Sequence, residues 1–504
     1  MTNANFFASL ALRAPEEPTT LLTTVDGAQY SYRDLERQSA KAANVLRGLG
    51  LQPGNRVSVQ IDKSVANLWL YMGALRAGLV FHPLNTGYTL EEMRFFLGDA
   101  EPGLLVCDPA NADAYGALCE ELGVPSLLTL DADGHGSLAE LWQNASSEYE
   151  TEPREGDDLA VLLYSSGTTG RPKGIMLSHE NLRSNAEVLV DYWRIQATDV
   201  LLHSLPIYHV HGLFVGVHCV LMSGASMHWL PGFDTKQVRS RLPLCTIMMG
   251  VPTYYTRLLA DPDFGGQDCR TMRLFISGSA PLLEETFNTF AERTGHTILE
   301  RYGMSETGMN ASNPLDGERR AGTVGFPLPG TQIRICDDAH RPLETGEVGE
   351  LEVRGPNVFR GYWRMPKKTA EDFTADGWFV TGDQGLIDER GYVRIVGRSK
   401  DMVITGGLNV YPKEIESVIN GIEGVVESAV FGVPHPDFGE AVVATVVVRP
   451  DCDITPAAID DRLRAEMAKF KLPKRIQIAD QLPRNAMGKV QKNVLRQEWD
   501  DPFY

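Results

Sequence analysis

Six residues, Leu159-Ala160-Val161-Leu162-Leu163-Tyr164, run straight into Ser165-Ser166-Gly167-Thr168-Thr169-Gly170-Arg171-Pro172-Lys173-Gly174. A run that short and that apolar predicts a strand buried on both faces, which requires a sheet covered on each side. The segment after it continues neither strand nor helix, because glycine and proline interrupt both. Within residues 164–174, three glycines free the backbone N–H groups to turn toward one point, and four Ser/Thr hydroxyls and two cations add donors. This is the chemistry of an anion cradle at a strand end, and phosphate is the expected ligand. It is not a Walker A loop, since Pro172 separates Gly170 from Lys173 and a glycine follows the lysine.

The rest of the chain sets the frame for that loop. Strand-like runs at 56–61, 103–107 and 159–164 alternate with a helical pattern at 65–78, the cadence of α/β layers with largely parallel sheets. From about residue 325 shorter strands at 332–336, 349–354 and 392–396 with Gly/Pro turns predict a small β-rich, barrel-like subdomain. After Gly397-Arg398-Ser399-Lys400-Asp401 the texture restarts: helices at 412–419 and 456–469, strands at 427–432 and 442–449. The expected fold is therefore α/β: a large N-terminal domain (1–397, β-rich part 325–397) of two layered sheets, and a small hinged α+β domain (398–504).

Charge and cysteines exclude some classes. With 66 acidic and 47 basic side chains in 504 residues the formal charge is −19, which argues against a protein that coats nucleic acid or adheres to anionic membrane. Apolar runs at 212–222 and 441–448 fall short of the ~20 residues a spanning helix needs. The first residues lack the basic start of a signal peptide, and the seven scattered cysteines include no C-x-x-C pair. Reduced thiols and a cytoplasmic location are expected.

Further motifs follow the loop in order: Gly278-Ser279-Ala280-Pro281, Tyr302-Gly303-Met304-Ser305-Glu306-Thr307, Gly349-Glu350-Leu351, Thr381-Gly382-Asp383, the 397–401 segment, Gly406-Gly407, and Pro483-Arg484-Asn485-Ala486-Met487-Gly488-Lys489. From about residue 20 to 495 the chain resembles the adenylate-forming superfamily of acyl-CoA synthetases, adenylation domains and luciferases. The resemblance implies two half-reactions: a carboxylate attacks the α-phosphorus of MgATP, and a thiol, here that of coenzyme A, then displaces AMP. The carboxylate is already ionised at neutral pH, so positioning and charge stabilisation should dominate.

The resemblance also implies roles, position by position. Ser165, Ser166, Gly167, Thr168, Thr169, Gly170 and Lys173 would cradle phosphate; Tyr302 would stack on adenine against Gly278, Ser279, Ala280 and Pro281, with Gly303 also in the nucleotide site. Ser305 would bond the α-phosphate, Glu306 with Ser165 would hold Mg²⁺, and Asp383 with Arg398 would take the ribose. Lys489 would reach both the α-phosphate and the attacking carboxylate, with Lys400 as the hinge about which the C-terminal domain turns. Acetylation of Lys489 by a lysine acetyltransferase, reversed by a deacetylase, would remove that charge and stop adenylation.

One position narrows the acid. Many members carry a small residue before the motif tyrosine; here Glu300-Arg301-Tyr302 places a guanidinium there. A buried unpaired charge is costly against a fatty or aromatic acid, but suits a second carboxylate held by a bidentate clamp. The bland alternative is an Arg301 that turns outward and pairs with Glu300. In Pro206-Ile207-Tyr208-His209-Val210-His211-Gly212, His209 matches the histidine at the edge of the acyl site, and Val210 and Met304 are expected pocket walls; a metal site at the H-x-H pair lacks further ligands. Together these residues resemble the malonyl-CoA synthetases, with serine at 305 where threonine is commoner. The rival readings are a ligase for methylmalonate, oxalate, succinate or a monocarboxylic acid, an adenylation enzyme that loads a carrier protein, and an inactive nucleotide-binding regulator.

Overall fold

The computed structural model describes residues 3–17, 19–165, 172–405, 408–435, 439–467, 469–485 and 488–499. Ser166, Gly167, Thr168, Thr169 and Gly170 of the expected cradle lie outside these, as do Gly406-Gly407, Ala486 and Met487.

Two large sheets form the N-terminal part. In the six-stranded sheet the order is Leu127–Thr129, Leu104–Cys107, Arg56–Gln60, Val80–Pro83, Leu159–Tyr164 and Gly174–Ser178. All neighbours are parallel except the last pair, so the chain that leaves Leu159–Tyr164 returns alongside it as Gly174–Ser178. The nine-stranded sheet runs parallel from Leu299–Met304 through Leu274–Ser277, Ile247–Gly250, Val200–His203 and Ser226–Trp229 to Thr20–Thr24, with antiparallel strands at both edges.

The helix Val65–Arg76 has buried residues all round, ten of its twelve, as expected of an element covered on every side. It lies against helix Tyr32–Gly48 at a separation only glycine permits: a Cβ on Gly73 would stand 2.3 Å from that of Ala42. The core formed there is continuous with both sheets.

The β-rich segment is an antiparallel meander, Gln332–Cys336, Gly349–Arg354, Phe379–Ile387 and Val393–Arg398, packed on Ala311 and Tyr302 of the nine-stranded sheet. The last unit has a five-stranded sheet built on the long hairpin Val425–His435 and Gly439–Val448. The first strand runs past the expected 427–432 at both ends, with Pro434 held inside the ladder, and the second begins at Gly439 and ends at Val448 where 442–449 was expected. The expected helix 456–469 ends at Glu466, where Met467 turns extended and packs with the cluster that holds Ile459 and Leu463. Among the described residues no helix is long and apolar enough to cross a membrane.

Three buried histidines tie the layers together. Ser58 Oγ lies 2.8 Å from His82 Nδ1, the Phe6 amide donates to His179 Nδ1 at 3.1 Å, and Tyr71 Oη lies 2.8 Å from His218 Nε2. Burial pushes their pKa values down to about 3, 4 and 3. Below pH ~6.5 the unfolded chain takes up protons that the folded chain refuses, so this stability is complete above pH ~6.5 and drains away toward pH ~3. The melting temperature should therefore fall steadily from pH 6.5 to 4; calorimetry at constant ionic strength that finds it flat would contradict this.

Candidate active site

The first of the site residues lie at the carboxyl end of a parallel strand, where crevices of such sheets bind ligands. Strand Leu299–Met304 delivers Glu300, Arg301, Tyr302, Gly303 and Met304 in sequence. It turns back tightly into Gly308–Ser312, and a Cβ on Gly303 would meet the Gly308 carbonyl oxygen at 2.1 Å, so the hairpin requires glycine there.

Asp383 and Arg398 arrive on neighbouring strands in direct register. Asp383 is buried, and its carboxylate takes Arg398 Nε at 2.7 Å and the Tyr302 hydroxyl at 2.5 Å. Its own amide donates to Thr381 Oγ1 at 3.0 Å. The negative Asp383 raises the Arg398 pKa, and burial raises that of Tyr302. Thus Tyr302, Asp383 and Arg398, far apart in sequence, form one rigid group.

Lys489 comes to the same place from the last unit. Its side chain is exposed by area, yet desolvation of its ammonium lowers its pKa. The charges it feels are those of Arg398, Asp383, Glu306 and Lys400, in that order. Lys400 lies in the short turn Ser399–Asp401, where burial and Arg398 lower its pKa as well.

Glu306 is buried, and burial raises its carboxyl pKa; Lys173 and Arg398 partly offset this. A buried, oxygen-donating carboxylate in that state suits a hard cation that keeps waters and phosphate oxygens as its other ligands. The Ser165 hydroxyl takes the Lys173 amide at 3.1 Å. Lys173 Nζ donates to the Tyr362 hydroxyl at 3.0 Å, lies 4.1 Å from the ring centroid, and is 3.5 Å from Asp372 Oδ2. Burial, and after it the Glu306 charge, raise the Tyr362 hydroxyl pKa. Tyr362 and Asp372 are absent from the sequence reading, which had no local signal for residues 189 and 199 positions from Lys173.

Arg301 is the residue expected on the acyl side. It is 4% exposed and does not turn outward; Glu300 Oε1 instead accepts the Leu282 amide at 3.1 Å. Arg301 Nε and Nη2 are buried without a partner among the described residues. Burial holds the guanidinium down to about 10 and pushes Glu300 up to about 7. The guanidinium lies against Gly278, where a Cβ would come within 2.3 Å of Cζ. Ser279 follows at φ +71, in the left-handed region, which costs a non-glycine residue roughly 1 kcal/mol; Ala280 and Pro281 continue the loop after strand Leu274–Ser277.

Val210 is buried and His209 half-buried just before the π-helical turn His211–Val217, a wider coil frequent at functional sites. Burial lowers His209 to about 4, with Lys489 the charge that contributes. His209 and Ser305 share the lining of a small cavity with Tyr164 and Tyr208. Met304 Sδ lies 4.0 Å from the Tyr302 hydroxyl.

Comparisons with known proteins place the chain among AMP-binding enzymes. The family description "AMP-binding enzyme" matches residues 10–363, and "AMP-binding enzyme C-terminal domain" matches 414–489. A malonate–CoA ligase of Arabidopsis thaliana is 32% identical over 523 residues, 94% of this chain and 86% of that protein. A long-chain-fatty-acid–CoA ligase of Mycobacterium tuberculosis is 33% identical over 97% of this chain and 95% of that protein, so curated relatives at this distance differ in their acid. The ATP-bound crystal structure of MatB from Rhodopseudomonas palustris is 51% identical, covers both chains fully and superposes with a TM-score of 0.98; its apo structure gives 0.87.

Proposed function

This chain belongs to the AMP-binding enzyme family, and we propose that its activity is that of an ATP-dependent malonate–CoA ligase. Malonate and ATP give malonyl-AMP and pyrophosphate; coenzyme A then takes the acyl group and releases AMP. The observation that carries the choice of acid is Arg301, a buried guanidinium with two unpartnered nitrogens. A monocarboxylic acid would leave it uncompensated, whereas the distal carboxylate of malonate supplies the missing charge and acceptors.

The residues divide the work. Tyr302 packs on adenine with Gly278, Ser279, Ala280 and Pro281 opposite; Asp383 and Arg398 hold the ribose. Ser165, Lys173 and Ser305 bind phosphate oxygens, with residues 166–170 completing that cradle. Glu306 and Ser165 fit Mg²⁺, which when bound neutralises charge on the phosphates. Arg301 fixes the distal carboxylate, Val210 and Met304 limit the size of the acid, and neutral His209 borders the reacting one. Lys489 brings its ammonium to the developing negative charge, where a positioned cation lowers the barrier most. Malonate's nucleophilic carboxylate needs no base.

We place the division between the domains at 397/398, with Lys400 the pivot that withdraws Lys489 for the thiol step, and a cytoplasmic location for the enzyme. Acetylation of Lys489 by a lysine acetyltransferase, undone by a deacetylase, would switch adenylation off. A homogeneously acetylated sample that still makes malonyl-AMP would refute that control.

ATP–pyrophosphate exchange tests the reading: malonate should support it, and exchange that is faster with acetate or a hydroxycinnamate would defeat it. The ribose assignment predicts that Asp383→Asn, which removes the charge paired with Arg398, raises KM for ATP by about tenfold or more and leaves KM for malonate nearly unchanged. Steady-state kinetics with each substrate varied in turn checks this.

A further inference from the structure

We infer that Lys63 and His203 are positioning residues for the acyl site: a relay from the Lys63 side chain through the His203 imidazole to the Gly212 carbonyl sets the π-helical turn that follows His209 and Val210. The inference rests on the reading above only in taking those two residues to border the acid.

The relay crosses between the two large sheets. Lys63 lies in the loop from strand Arg56–Gln60 to helix Val65–Arg76, and its Nζ lies 2.8 Å from His203 Nδ1 and donates to the His203 carbonyl at 2.9 Å. His203 ends strand Val200–His203 and is 1% exposed; its Nε2 lies 2.9 Å from the Gly212 carbonyl oxygen. Trp229, its register partner on the next strand, stacks on the imidazole with centroids 4.9 Å apart. Lys63 Nζ lies 4.3 Å from the centroid of the same Trp229 ring. The imidazole also rests on Gly216, where a Cβ would come within 3.1 Å of its Cδ2 and Nε2.

The partners dictate where the protons sit. A carbonyl only accepts, so the His203 proton is on Nε2, facing Gly212. Nδ1 is then bare, and Lys63 is the donor that satisfies it. Burial, and after it the Lys63 charge, keep His203 far below the ordinary histidine range, so the ring is neutral. Without Lys63 a buried acceptor loses its donor, and a ring that shifts to find another releases Gly212.

The turn needs such an anchor. A π-helical coil is wider than an α-helix and is seldom more than a single turn. Here the His218 amide reaches back five residues to the Leu213 carbonyl. Gly212 packs so closely on the preceding loop that a Cβ there would stand 2.0 Å from the Pro206 carbonyl oxygen. The bond from His203 fixes the start of the coil immediately after His209 and Val210. Lys63 also shares the lining of a cavity of about 210 Å³ with Pro206, Ile207 and Tyr208, the segment that leads into His209. Water in that space softens the loss of the Lys63 donor without restoring its geometry.

The test is ATP–pyrophosphate exchange with malonate and ATP varied in turn, for wild type, Lys63→Met, Lys63→Gln, His203→Phe and the Lys63→Met/His203→Phe double variant. Lys63→Met removes the donor at similar length; KM for malonate should rise about tenfold while KM for ATP changes less than about twofold. Lys63→Gln offers an amide N–H to Nδ1 and should recover most of that loss. His203→Phe keeps a ring against Trp229 and should cost at least as much as Lys63→Met. The double variant should cost no more than His203→Phe alone, because the two residues act in series. Additive losses, KM for ATP rising in step with that for malonate, or a Lys63→Gln enzyme no better than Lys63→Met would overturn the inference. The two Lys63 variants decide it even where His203→Phe does not fold. A wild type that prefers propionate would instead defeat the malonate reading, and the same variants with propionate varied would still judge the relay.

Discussion

Arg301→Ala is expected to lower kcat/KM for malonate by about a thousandfold while propionate is used as well as before or better. The magnitude follows from what is lost: a bidentate, charge-assisted contact in a site shielded from water, where one side of a buried charge pair is left alone. The direction for propionate follows from the free protein, in which Arg301 Nε and Nη2 already lack partners, so truncation relieves an existing desolvation cost. Arg301→Lys should not rescue malonate well, because an ammonium cannot form the two parallel bonds of the planar fork. Initial rates across a malonate and propionate series decide the matter. Equal losses with both acids would mean that Arg301 only supports the strand that carries Tyr302.

The second large effect is at Lys489. Lys489→Ala should reduce malonyl-AMP formation by about a thousandfold, within the range known for removal of a single positioned charge-stabilising group. Transfer of the acyl group from supplied malonyl-AMP to coenzyme A should fall far less, since Lys489 is assigned to the first half-reaction alone. The structure describes the arrangement in which Lys489 stands beside Arg398, Asp383 and Glu306, and the chain matches the ATP-bound MatB structure more closely than the apo one. Single-turnover measurement of each half-reaction separates the two effects; equal losses in both would point to a general structural role. Because burial and Arg398 already lower the ammonium pKa, the adenylation rate of wild type should decline at a lower pH than an ordinary lysine would impose.

What was legible in the sequence is what depends on local order. The strand Leu159–Tyr164 appears with the predicted bounds because six apolar residues and a glycine-rich exit leave no other element possible. The helix over 65–78 was legible for a similar reason, although it ends at Arg76, where Gly78 turns left-handed and the Gly78 and Leu79 amides close back on the Leu75 and Ala74 carbonyls. Tyr302, Asp383, Arg398, Glu306 and Lys489 could be named from ordered motifs, but their mutual contacts could not. The bond from Tyr302 to Asp383 spans 81 residues, and that from Lys173 to Tyr362 spans 189. No periodicity encodes such pairs; they arise when separate sheets are packed together. The net charge of −19 was similarly silent about anionic ligands, since the cations that matter are the local ones, Lys173, Arg301, Arg398 and Lys489.

The central claim is that this site is built for a small dicarboxylate activated for transfer to coenzyme A. Coenzyme A-dependent AMP release, measured for wild type with malonate, methylmalonate, succinate, oxalate, propionate and acetate, tests it most directly. Malonate should give the highest kcat/KM, at least about a hundredfold above propionate, with malonyl-CoA as the product. Propionate or acetate matching malonate, or AMP release that does not depend on coenzyme A, would contradict it.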